Sequence, residues 1–194
     1  GPSHEFQRAL ATGHLPPDWQ IVGDVPPGAI SINEVDGSLG LRIDGGGTSY
    51  AILRRTRASL LATPFLSWAW RATPPKRGEH PVRIYVGLRN RPAQTKQPWW
   101  QLGGNERPAD RIITIDWAET ALARGTIIGP TRDEDGLSRV RYIARGGQEQ
   151  GGRWWFDTID LSQIHHQVWP NDDPAKMDVT LIGFAVAQAS LPST

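Results

Sequence analysis

The chain reads as an all-β domain: a two-sheet antiparallel β-sandwich, jelly-roll-like, with one or two short helices. Three observations point there. Glycine and proline interrupt the chain densely, with 21 Gly and 16 Pro in 194 residues, which leaves room only for short elements. Between the breaks lie runs that alternate apolar and polar side chains with a period of two, the mark of half-buried strands. No helix-period stripe persists beyond about three turns.

The elements follow in order. Strands are expected over 19–24, 29–34, 39–43, 49–54 and 65–71, and further along over 82–88, 111–117, 126–128, 139–144, 154–159 and 179–187. Gly45-Gly46-Gly47-Thr48 reads as a hairpin turn between Leu41-Arg42-Ile43 and Tyr50-Ala51-Ile52. It lacks the lysine and the following helix that a phosphate loop needs. Phe65-Leu66-Ser67-Trp68-Ala69-Trp70 is apolar on both sides and suits a central strand. The better helix candidate is 162–168, with Asp160 as its cap and Pro170 beyond its end. The weaker one is 118–124.

Alternation also sorts faces, because successive side chains of a strand point to opposite sides. Val82, Ile84, Val86 and Leu88 share one face, and Arg83, Tyr85 and Arg89 the other. Ile113, Ile115 and Trp117 lie together, opposite Ile112, Thr114 and Asp116. Arg139 and Arg141 oppose Val140 and Tyr142. Arg83, Tyr85 and Arg141 are thus expected to face away from the core.

The domain is expected over 15–194. Gly1-Pro2-Ser3-His4-Glu5-Phe6 resembles the remnant of a cleaved tag, and residues 1–14 are set aside as this remnant and an N-terminal arm. No internal repeat or flexible linker divides the rest. The net charge of +1 and the scattered arginines offer no phosphate-tracking surface, so no nucleic-acid partner is expected. No apolar run is long enough to span a membrane.

The chain has no cysteine, which removes disulfides, thiolate nucleophiles and cysteine-based zinc sites. No Gly-x-Ser-x-Gly elbow is present. His165-His166 is an adjacent pair whose rings diverge, and His14 and His80 stand alone, so no metal site and no cofactor are expected. Asp133-Glu134-Asp135-Gly136 and Asn171-Asp172-Asp173 carry oxygen ligands suited to calcium, but ordinary turn chemistry explains both.

Nine Trp against four Phe and three Tyr is the strongest compositional signal. Trp68 and Trp70 share a strand face and are assigned to the core. Trp154 and Trp155 must split between faces. Trp99-Trp100 lies in the long irregular stretch from Asn90 to Asp110. Exposed neighbouring indoles are costly unless they meet a ligand, a partner or the domain's own surface.

Several segments, taken in order, resemble DUF3047, a family of exported bacterial proteins of unknown function. They are Leu15-Pro16-Pro17-Asp18-Trp19, Leu66-Ser67-Trp68-Ala69-Trp70-Arg71, Val82-Arg83-Ile84-Tyr85-Val86, Ile115-Asp116-Trp117, and Gly152-Arg153-Trp154 followed by Asp160-Leu161. Ala187-Gln188-Ala189-Ser190 departs from that pattern, standing where the family often carries acids. The resemblance implies an exported jelly-roll sandwich, periplasmic or secreted, akin to carbohydrate-binding modules. It brings no catalytic residues.

The functional expectation is a non-catalytic module that binds a saccharide by aromatic stacking and polar contacts. Its ligand-binding set is Trp99, Trp100, Arg83, Tyr85, Trp117 and Arg141. One alternative is a glycan hydrolase or lyase using two carboxylates drawn from Asp116, Glu119, Asp157 and Asp160. The other is a cell-envelope interaction domain with Trp99-Trp100 as its anchor.

Overall fold

The computed structural model describes residues 8–9, 15–45, 47–91, 107–134 and 136–187. Eleven strands appear among them: β1 (Trp19–Gly23), β2 (Ile30–Val35), β3 (Ser38–Ile43), β4 (Tyr50–Ser59), β5 (Phe65–Trp70), β6 (Val82–Asn90), β7 (Arg111–Ala118), β8 (Ile127–Arg132), β9 (Ser138–Gly146), β10 (Trp155–Asp160) and β11 (Met177–Val186). One α-helix, α1 (Leu161–Val168), follows β10. Every expected strand is present, with ends shifted by a few residues.

One sheet of seven strands runs in the order β1-β4-β11-β6-β7-β9-β8. Two smaller sheets, β10-β5 and β2-β3, pack on one of its faces. Cross-strand register carries Ile52, Phe184, Ile84, Ile115 and Tyr142 along one row of that inner face. Leu66, Trp68 and Trp70 of β5 and Ile159 of β10 pack over its centre, with Leu161 and Ile164 of α1. Ile30 and Ile43 of the β2-β3 pair cover its other end against Tyr50, Ile52 and Val186. This is the expected all-β sandwich.

Several particulars differ from the sequence reading. The large sheet is not wholly antiparallel, because β7 and β9 pair in parallel. The chain leaves β7, forms β8 one place farther out, and returns as β9 to fill the gap between them. The turn at 45–48 does not join a hairpin, since β3 pairs with β2 and β4 with β1 and β11. The hairpin turn is Asp36-Gly37, both with positive φ, 52° and 77°, as a tight two-residue connection requires. β5 is not a central strand: its one partner is β10, and Phe65 is 66% exposed.

α1 begins as expected. The Asp160 side chain accepts the Gln163 backbone N–H at 3.1 Å and the Ser162 hydroxyl at 2.5 Å, and such caps contribute about 1 kcal/mol. The weaker helix candidate shrinks to one 3-10 turn, Ala121–Ala123. β7 takes its first residue, and Gly125, at φ 84°, ends it. Among the described residues no helix is long and apolar enough to cross a membrane.

Candidate functional site

The face of the large sheet that turns away from both small sheets carries the polar groups. One cross-strand row there runs Leu53, Gly183, Tyr85, Thr114 and Arg141. Arg83 lies two residues before Tyr85 on β6, and Asp116 two residues after Thr114 on β7, so both share this outer face. The alternation puts Arg83, Tyr85 and Arg141 on one face, but Tyr85 does not turn away from all core: it packs there on a buried cluster of Leu53, Ala109, Ile112 and Leu181.

Asp116 is the fixed point of the group, with only 1% of its surface exposed. Its Oδ2 accepts a hydrogen bond from Arg141 Nε at 2.7 Å and lies 3.5 Å from Arg83 Nε. A carboxylate withdrawn from water needs such partners, since an unpaired buried charge is strongly destabilising. Glu79, from the loop before β6, adds a second carboxylate. Its Oε2 accepts from Arg83 Nη2 at 3.3 Å and from Arg141 Nη2. The hydrogen bond from Arg141 holds the Glu79 carboxyl below the usual carboxylate range, against the opposing pull of burial.

Among the described residues three buried polar atoms in this group make no hydrogen bond: Thr114 Oγ1, Asp116 Oδ1 and Arg83 Nε, the last facing Asp116 Oδ2 at ion-pair distance only. All come from adjacent positions on β6 and β7. They are a hydroxyl, a carboxylate oxygen and an N–H side by side, all closed off from solvent.

Tyr85 links this polar group to an apolar hollow of ≈ 140 Å³. Ala109, Ile112, Leu137 and Leu181 line the hollow with Tyr85, Arg107 and Pro108. Gly87 makes the close packing there possible, because a Cβ on it would lie 3.0 Å from the Cβ atoms of both Ala109 and Leu181. Burial raises the Tyr85 hydroxyl pKa above its ordinary value.

Trp117 is a correction to the expected ligand set. It projects to the inner face, is 1% exposed, and meets Trp70 edge-on with ring centroids 5.4 Å apart. Its indole N–H donates to the Gly147 carbonyl at 3.1 Å, so no face of the ring is free to stack on a ligand. Trp99 and Trp100 lie outside the described residues. Their segment departs at Arg91 and returns at Arg107, which borders the hollow.

The other carboxylates of the hydrolase alternative occupy separate places. Asp157 is buried against Arg145 and accepts the Trp70 indole N–H at 2.8 Å. Asp160 caps α1. Both calcium-suited turns spend carboxylates on protein partners: Asp133 on Arg139, Asp172 on Arg111 and His165, and Asp173 on the Ala175 N–H. Among the described residues no three His, Asp or Glu side chains converge in a metal-binding group.

Sequence reasoning missed Glu79 and the unpartnered hydroxyl of Thr114. Strand alternation already placed Thr114 beside Asp116. Nothing in the loop sequence singles out Glu79.

No family model and no curated protein sequence matches the chain. Among solved structures it is similar to three from family 12 of the glycoside hydrolases. A family 12 glycoside hydrolase from a thermal-stability comparison superposes with a TM-score of 0.44 at 10% identity, over 89% of this chain and 94% of that one. Endoglucanase 3 of Trichoderma harzianum gives 0.41 at 8% identity, over 90% and 93%. The family 12 xyloglucanase of Bacillus licheniformis gives 0.43 at 10% identity, over 88% and 79%. Overlaps at this level transfer no residue role.

Proposed function

We propose that this domain is a non-catalytic ligand-binding module that takes a saccharide on the outer face of its large sheet. One observation carries the reading: strand register sets Tyr85 on the same face as Arg83, Thr114 and Arg141, beside the arginine–carboxylate cluster. A sugar ring calls for an aromatic side chain against its C–H face beside donors and acceptors for its hydroxyls. Trp99 and Trp100 belong to the proposal on sequence grounds, as further stacking surfaces.

The carboxylates favour binding over hydrolysis. A glycosidase needs one carboxyl whose pKa is raised so that it can donate a proton. Here Glu79 shifts the opposite way, through its hydrogen bond to Arg141, and Asp157 and Asp160 are committed to Arg145 and to the cap of α1.

The test is titration of the domain with a panel of oligosaccharides, read by tryptophan fluorescence, beside Tyr85→Leu and the double variant Trp99→Ala/Trp100→Ala. A saturable change, weakened at least tenfold in Tyr85→Leu with circular dichroism unchanged, is the expected result. Equal binding by Tyr85→Leu removes the outer face from the site. The absence of any response, fluorescence or calorimetric, overturns the saccharide reading.

A further inference from the structure

Glu79 reaches the Arg83–Asp116–Arg141 cluster of the outer face from a loop. Residues 71–81 form that loop, pinned along its length by hydrogen bonds to its neighbours. Ala72 O accepts from Gly152 N at 2.9 Å, Pro75 O from Gln148 Nε2 at 3.2 Å, and His80 N donates to Trp117 O at 3.0 Å. Glu79 follows Gly78, whose φ of 81° is in the left-handed region. Its carboxylate is 38% exposed, and a single oxygen takes an N–H from each of two arginines.

The charge pattern beneath it is uneven. Asp116 is the buried countercharge, held at 2.7 Å by Arg141 and facing Arg83 at 3.5 Å. Without Glu79, two guanidinium groups would face one carboxylate. Glu79 therefore occupies, from solvent, the place where the cluster has a second negative charge to accept. Planar guanidinium groups match carboxylates in geometry as well as charge.

We propose that Glu79 is a built-in competitor, and that the saccharide bound on this face carries a carboxylate, as uronate sugars do, which displaces Glu79 from Arg83 and Arg141. The proposal rests on the saccharide reading above and adds the class of sugar. The exchange conserves charge in the cluster: one carboxylate leaves the two arginines as another arrives, and Asp116 stays in place. The displaced Glu79 returns to water, to which it is already partly open. A neutral sugar brings no group that could take its place.

The experiment is calorimetric titration of the unaltered protein, Glu79→Gln and Glu79→Ala with a galacturonate hexamer and, separately, with cellohexaose. Thermal unfolding of all three proteins provides the check on folding. Both substitutions remove the competing charge, so galacturonate affinity is expected to rise about tenfold. That gain is expected to shrink as salt is raised from 0.05 to about 0.5 M, where screening shortens to a few ångströms. Cellohexaose affinity is expected to stay below that for galacturonate in every variant. Galacturonate binding that ignores both substitutions overturns the competitor role, and preferred binding of cellohexaose overturns the acidic class; both leave the saccharide reading intact. If neither sugar binds any of the three proteins, and the wider panel is silent too, both readings fall together.

Discussion

Arg145 and Asp157 join the two layers of the sandwich through a buried ion pair. Arg145 belongs to β9 of the large sheet and Asp157 to β10 of the small one, with Nη2 and Oδ1 2.6 Å apart and both side chains 7% exposed. Arg145 Nε lies 3.0 Å from the other carboxylate oxygen, so the contact is forked. The guanidinium also lies 3.8 Å over the ring of Trp155, while Arg153 stacks at 4.1 Å from the same ring. A pair of this kind fixes how the layers meet more than it adds net stability.

Removing one partner is therefore expected to cost far more than removing both. Asp157→Ala leaves the Arg145 charge buried and strips the Trp70 N–H of its acceptor. The expected loss is about 3–5 kcal/mol by chemical denaturation. Arg145→Met combined with Asp157→Leu is expected to lose less than Asp157→Ala alone. A double variant as weak as the sum of its single substitutions would show that the two residues act independently.

The contrast between this pair and the outer face shows what the sequence could tell. Strand parity follows from local alternation, so Arg83, Tyr85 and Arg141 were legible as one outward set. The same parity groups Trp117 with Ile113 and Ile115, and its place in the core was readable there; its aromatic character had suggested a ligand role instead. Asp36-Gly37 is a local turn signal between the strands expected at 29–34 and 39–43. The parallel pairing of β7 with β9 was not legible, because it depends on where β8 settles and no local pattern encodes that. Glu79 was hidden for a similar reason, since a loop residue meets its arginine partners only after the sheet is assembled.

Thr114 gives a direct measure of what the outer face costs the folded chain. Its hydroxyl is buried with no partner, and leaving such a group unpaired costs about 1–3 kcal/mol. Thr114→Val keeps the branched shape and removes the hydroxyl. The variant is expected to be more stable than the parent by about 1 kcal/mol, read as a higher urea midpoint with an unchanged slope. A loss of stability would mean that the hydroxyl is hydrogen-bonded in solution.

Acid is expected to destabilise the domain in two stages, through buried histidines first and the Asp172 carboxylate second. His165 of α1 is fully buried, with its Nε2 3.1 Å from Asp172 Oδ2 and its Nδ1 unpartnered. Asp172 also accepts two bonds from Arg111, at 2.9 and 3.0 Å, and Arg111 lies over the Trp169 ring. Burial lowers the His165 pKa from 6.5, outweighing the hydrogen bond to Asp172, and Arg111 and His166 push it the same way. The unfolded chain therefore takes up the histidine proton first as pH falls. The stabilisation from keeping His165 neutral is fully present above about pH 6.5 and is lost as pH falls through the lower folded value. His80, also lowered by burial, adds to the same stage. Asp172 is lowered from 3.8 chiefly by its hydrogen bonds from Arg111, so its contribution is lost only below that pH. Urea midpoints measured from pH 8 to pH 3 are expected to fall in both windows. His165→Gln is expected to flatten the upper window in part, leaving the His80 share, and to leave the lower one in place. An unchanged upper slope in that variant would assign the whole of the first stage to His80.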